Sequence, residues 1–146
     1  MQPLEFLVPF EALEVVEPYI THVILALVLA NMVTRVLAHS RHAKQAEDGD
    51  DELTRFLPHT ATTVLLLLSS FLYLLLHPHG GMVMSALALG VFFTDFFEFE
   101  ARKVEARNGL TFERPKSAIA ASVLLLLYAS FQSLFFLVKD YWQMVV

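Results

Sequence analysis

Cysteine is missing altogether from the 146 residues. That excludes disulfides, thiolate metal sites, iron–sulfur ligation and a cysteine nucleophile. Basic residues are few, ten Lys and Arg against fifteen Asp and Glu, for a formal net charge of −5. Nothing here resembles the basic footprint of a nucleic-acid binder. Phosphate-loop, nucleophile-elbow and zinc-helix patterns (G-x-x-x-x-G-K-[ST], G-x-S-x-G, H-E-x-x-H) do not occur. No apolar segment carries the repeated arginines of a voltage sensor. The N-terminus has no basic n-region, and glutamates stand at 5, 11, 14 and 17, so a cleaved signal peptide is not expected. Met1 is expected to be retained, with the first apolar segment serving as the membrane-targeting signal.

What the chain has in excess is apolar side chain, 56 % of all residues. A chain of this length keeps a large fraction of its residues at the surface and cannot hide that much in its own interior. The surplus must face lipid or partner subunits. Four apolar segments stand out, at 19–37, 60–76, 82–99 and 118–138. Each is about the length that crosses a hydrocarbon layer of roughly 30 Å as a helix. Helix is required, because a lone strand leaves its backbone groups unpaired in lipid. The expected fold is therefore all-α: one membrane domain, 1–146, with four transmembrane helices in an antiparallel bundle. The remaining pieces are an interfacial segment (1–18), loops at 38–59 and 100–117, a turn at 77–81 and a tail at 139–146.

Punctuation supports these boundaries. Pro18 and Pro58 stand just before spans one and two, where a missing N–H costs little. Pro78, Gly80 and Gly81 predict a tight turn, Asn108-Gly109 a helix stop, and Ser117 an N-cap for span four. Residues 9–17, with Phe10, Leu13 and Val16 offset from Glu11, Glu14 and Glu17, predict a separate amphipathic helix, either lying on the membrane surface or meeting a partner subunit. Residues 45–52 are acidic and patternless, as in a solvated linker. Nine of the ten Lys and Arg flank the loops 38–59 and 100–117; the exception is Lys139. The positive-inside rule then places both long loops in the cytoplasm and both termini outside a plasma membrane.

Candidate functional residues are sparse. Small residues recur every four positions in span one (Ala26, Ala30, Thr34, Ala38) and span three (Ala86, Gly90, Thr94), and pairs occur in span four (Ala118 with Ser122, Ala129 with Ser133). Such lines let helices approach closely in lipid, either within the bundle or against another subunit. Asp95 and Glu98 lie toward the basic end of span three, Asp95 about 20 Å along the helix from Met82. Ionisable groups at membrane depth are costly and often functional. Three readings stand: an interfacial acid paired with Arg35, Arg55 or Arg102, an ion or proton site, or a docking contact. Glu98 has the spacing to pair with Arg102. His22, His77 and His79 group at one end, and His39, His42 and His59 at the other. Paired haem ligands belong within the bilayer on facing helices, whereas His59 and His77 are about 27 Å apart along a helix. Solvated interfacial histidines are expected, with no cofactor and no metal. Tyr141 and Trp142 have the character of interfacial anchors.

The acid-rich stretch 46–52, the absence of cysteine and the Ala/Val/Leu-rich spans resemble small integral membrane proteins of halophilic archaea. That resemblance extends over the whole chain and implies no particular activity. Four short helices are also similar to small multidrug transporters, whose essential glutamate in the first span has no counterpart here. The expectation is a non-catalytic accessory or structural subunit of a larger membrane complex, energy-converting or transporting. Its partners would be the lipid bilayer and other membrane subunits or itself, with no nucleic acid. The alternatives are a small oligomeric proton- or cation-coupled transporter or channel, and a membrane redox protein with haem.

Overall fold

The computed structural model describes residues 10–49 and 53–145. Four helices follow one another: α1 Phe10–Glu47, α2 Leu57–Leu76, α3 Pro78–Arg107 and α4 Lys116–Val145. All four are long and apolar enough to cross a membrane. Each packs on its chain neighbours and α4 closes back on α1, so the helices form a ring in which α1 faces α3, and α2 faces α4, across the diagonals.

The buried positions explain the ring. On α1 they are Leu13, Ile20, Ile24, Val28, Asn31, Arg35, Ala38 and His42, whose later members alternate steps of four and three. That period keeps one stripe turned toward neighbouring helices over many turns. Matching stripes are Thr63, Leu66, Ser70 and Tyr73 on α2, and Met84, Ala88 and Val91 on α3. On α4 the stripe is Ala118, Ser122, Leu125, Ala129 and Ser133. Outward positions remain apolar, among them Val33, Leu65, Phe97 and Leu127, as a lipid-facing surface requires.

Three sequence expectations change. First, residues 10–18 are not a separate interfacial helix, because α1 runs unbroken through Pro18. A proline inside a helix removes the hydrogen bond to the carbonyl four residues earlier, here Glu14. Both residues are exposed, while Leu13 is buried and Val16 packs on the core. The stripe thus continues across the proline. Pro9, where the separate helix was expected to begin, lies outside the described residues.

Second, the loops are shorter than the gaps between apolar segments. α1 extends to Glu47, α3 to Arg107, and α4 through the expected tail to Val145. Residues 50–52 of the acidic linker, and the side chains of Tyr141 and Trp142, lie outside what is described. The stop at Asn108-Gly109 has Gly109 at φ 67°, the left-handed conformation a helix C-terminus uses. Third, the turn between spans two and three is a single residue, His77, with Pro78 opening α3. Gly80 and Gly81 lie inside the first turn of α3, where a Cβ on Gly81 would stand 2.1 Å from the Leu74 Cα. The glycine is there to let two backbones touch.

Candidate functional site

Polar residues gather on the inner stripes where spans one, two and three approach their basic ends. α1 supplies Asn31, Thr34 and Arg35 at helical spacing. α2 supplies His59, Thr62 and Thr63 from its first two turns, and α3 supplies Asp95. Arg35 donates from Nε to Asp95 Oδ1 at 2.8 Å and from Nη2 to Oδ2 at 2.7 Å. This two-pronged pair crosses the α1–α3 diagonal with side-chain exposures of 3 % and 10 %. Nη2 also donates to Asn31 Oδ1 at 2.7 Å. The amide of Asn31 donates onward to the Thr62 and Thr63 hydroxyls at 3.0 and 2.9 Å. Both threonines return a hydrogen bond to the His59 carbonyl.

His59 closes the network. Its Nδ1 is 2.9 Å from Thr34 Oγ1, and its Nε2 is 3.2 Å from Asp95 Oδ2, off the line of a good hydrogen bond. The Thr34 hydroxyl has three acceptors in reach, the Asn31 carbonyl at 3.0 Å, Thr62 Oγ1 at 3.0 Å and His59 Nδ1 at 2.9 Å, and it can instead accept from Nδ1–H. A cleft of about 70 Å³, bordered by Phe92 and Phe96, reaches His59 and Asp95.

A second tie crosses the same diagonal closer to the loops. Arg102 is buried and donates from Nη1 to His42 Nδ1 at 3.1 Å. An acceptor at Nδ1 fixes the other tautomer, so Nε2–H donates to the Thr54 carbonyl at 2.9 Å. The aromatic rings there carry cations, with Arg55 4.5 Å and Lys103 5.3 Å from the centroid of Phe99.

Of the sequence candidates, Asp95 pairs with Arg35, the first of its three expected partners. Glu98 is not brought to it. The Glu98 carboxylate reaches the Ser117 backbone at the start of α4, capping that helix from a neighbouring one. The expected Glu98–Arg102 pair is replaced: Arg102 turns inward to His42 and meets the Glu98 carbonyl at 3.3 Å rather than its carboxylate. His42 and His59 are likewise not solvated, because their helices begin or end beyond the apolar segments and carry them into the interior. At the opposite end His77 lies 3.1 Å from Glu17.

The small-residue lines divide. The span-four residues Ala118, Ser122, Ala129 and Ser133 are buried in the bundle. In span one, Ala26 and Ala30 point outward, Thr34 joins the network and Ala38 is buried. In span three, Ala86 is exposed, a Cβ on Gly90 would meet nothing, and Thr94 donates to the Gly90 and Val91 carbonyls. The reason is register: strict four-residue steps drift round the helix relative to a stripe that alternates three and four, so the span-one line begins facing outward and reaches the interior only at Thr34 and Ala38. Among the described residues no three His, Cys, Asp or Glu side chains come together as a metal-binding set.

Residues 2–146 match a family described as a domain of unknown function, DUF7313. The chain belongs to the DUF7313 family. Comparison with curated proteins and with solved structures gives no match. The functional content of this DUF7313 member therefore rests on its own residues: a buried Arg35–Asp95–His59 cluster and two small-residue faces turned out of the bundle. Sequence reasoning found Asp95, with Arg35 and Arg102 among its expected partners, and passed over His59 and Asn31 as site residues. The available signal was the polar run Asn31, Thr34, Arg35 in span one, whose spacing puts all three on one helix face.

Proposed function

We propose that this protein is a non-catalytic structural subunit of a larger assembly in the plasma membrane. The observation that carries this reading is the outward position of Ala26 and Ala30 on α1 and of Ala86 and Gly90 on α3. Small side chains on a lipid-facing surface give up dispersion contact with acyl chains, and they allow another helix to approach at backbone distance. α1 and α3 are diagonal, so the two faces look out on different sides of the bundle and can engage two neighbours at once. Commitment of Asp95 to Arg35 and of Glu98 to α4 supports the same reading, since neither acid is free to serve a passing ion. Energy-converting and transport complexes are the expected class of host assembly. The basic loops are assigned to the cytoplasm by the positive-inside rule. The compositional likeness to membrane proteins of halophilic archaea adds the proposal of a halophilic host.

The test is native mass after extraction in mild detergent, with Ala30→Leu and Gly90→Leu beside the natural chain. Both substitutions fill space that is open in the bundle, so helicity should persist while the assembly falls apart. A lone monomer from the natural chain, or an assembly indifferent to both substitutions, would sink the proposal. One observation favours a second reading, a proton-coupled transporter: His59 touches Asp95 beside a cleft at the basic end. Proton flux into liposomes containing the purified protein should then be abolished by His59→Gln; equal flux in the two removes that reading.

A further inference from the structure

A cleft of about 350 Å³ opens between α1 and α4 at the basic end, within the range of small-molecule sites, about 300–1,000 Å³. Met32, Val36 and Ile119 supply its apolar lining, and Arg35, His39 and Arg114 its basic groups. The polarity is graded along both helices in the same direction. Apart from Arg35, which is bound to Asp95, the α1 lining passes from the Met32 thioether to the His39 imidazole over about 10 Å. On the other wall Ser122 and Ile119 of α4 lead back to the Arg114 guanidinium, two residues before that helix begins. His39 Nδ1 is buried with no hydrogen-bond partner, a state that buried polar atoms rarely keep. Arg114 is exposed and has no ion pair among the described residues. Arg35 is already satisfied by Asp95 and Asn31, which leaves His39 and Arg114 to meet a ligand.

We propose that this cleft binds one anionic phospholipid, with an acyl chain along Met32, Val36 and Ile119 and its phosphate at Arg114 and His39. A chain-and-headgroup ligand fits the gradient, because the apolar part of the cleft lies within the membrane-spanning segments and the basic part lies at their end. Charge complementarity selects an anionic headgroup, for which arginine is well suited. The proposal is independent of whether the small-residue faces bind partners.

The test uses the purified full chain in detergent, stripped of lipid and then given dioleoyl phosphatidylglycerol, dioleoyl phosphatidylcholine or inorganic phosphate. Native mass spectrometry and the thermal midpoint are read together. The expected result is one phosphatidylglycerol retained per chain, a raised midpoint with that lipid alone, and about tenfold weaker retention in Arg114→Gln and in His39→Gln, the worth of one charged hydrogen bond. Ile119→Trp, at a position 42 % exposed, should block the chain channel. Equal retention of both lipids, a midpoint raised as much by inorganic phosphate, or full retention in Arg114→Gln would overturn the proposal. Arg114 is a surface residue, so that last variant folds and decides the matter whatever Ile119→Trp does.

Discussion

At the scale of single residues, the sharpest constraint is the contact between Gly81 and Leu74. An added methyl would overlap backbone, which cannot swing aside as a side chain can, so α2 and α3 would have to separate. Gly81→Ala should cost at least the roughly 1–3 kcal/mol of an overpacked core, whereas Gly90→Ala, facing open space, should gain about 0.5–1 kcal/mol from helix propensity. Reversible unfolding in mixed micelles compares the two. The Arg35–Asp95 pair obeys a different logic. Asp95→Asn leaves a buried guanidinium without its carboxylate and should cost about 3–5 kcal/mol, while Arg35→Met with Asp95→Leu should recover most of that. If the double variant were as unstable as the single one, the pair would be contributing more than mutual neutralisation. Asp95 was legible in the sequence because one acid in an apolar run is conspicuous. His59 was not, because its distance from His77 fixes its depth along a helix but not the face it occupies. Only the packing of α2 against α1 turns it toward Asp95.

At the scale of helices, four spans were readable because about twenty apolar residues have no other stable place in a membrane protein. Their ends were not, because hydropathy marks where lipid stops, not where a helix does. α1 continues for ten residues past the end of its apolar segment at 37, held by His42 and Arg102 rather than by lipid. Pro18 misled for a related reason: the stripe from Leu13 to Ile24 outweighs one lost hydrogen bond at an exposed turn. What fixes the helices across the ring is polar at both ends. Arg35–Asp95 and Arg102–His42 tie α1 to α3. Toward the other end Tyr73 donates to Gln132 Oε1 at 3.1 Å, whose amide donates to Tyr128 at 3.0 Å, tying α2 to α4. Hydrogen bonds between membrane helices average about 0.6 kcal/mol, so Tyr73→Phe should lower stability by about that amount. Removing both ties, with Tyr73→Phe and Asp95→Asn, should give an additive loss, since the sites are far apart. A loss well above the sum would mean that the two diagonals lock one another.

At the scale of the whole molecule, a one-residue connection at one end contrasts with connections of eight residues or more at the other, and Lys and Arg collect at the end with the longer connections. His77 alone joins α2 to α3, while Arg41, Lys44, Arg55, Arg102, Lys103, Arg107, Arg114 and Lys116 all gather at the opposite end. The asymmetry lies in Lys and Arg, which the positive-inside rule counts, and not in net charge, since residues 47–52 and 98–113 place at least as many acids at the same end. The absence of cysteine makes the orientation directly measurable, because any introduced thiol is the only one present. Gly49 and Gly109 are exposed in the loops of the basic end, and His79 is exposed at the other. A membrane-impermeant maleimide added to intact cells should label His79→Cys at once, and should label Gly49→Cys only after the membrane is opened. At Gly49 and at Gly109 alike the positive φ strains any side chain, so Asn108→Cys serves as the unstrained second probe, and it should behave as Gly49→Cys does. Labelling of Gly49→Cys in intact cells would reverse the assignment. It would also move the lipid cleft between α1 and α4 to the outer leaflet, so this experiment fixes which leaflet must supply the anionic lipid.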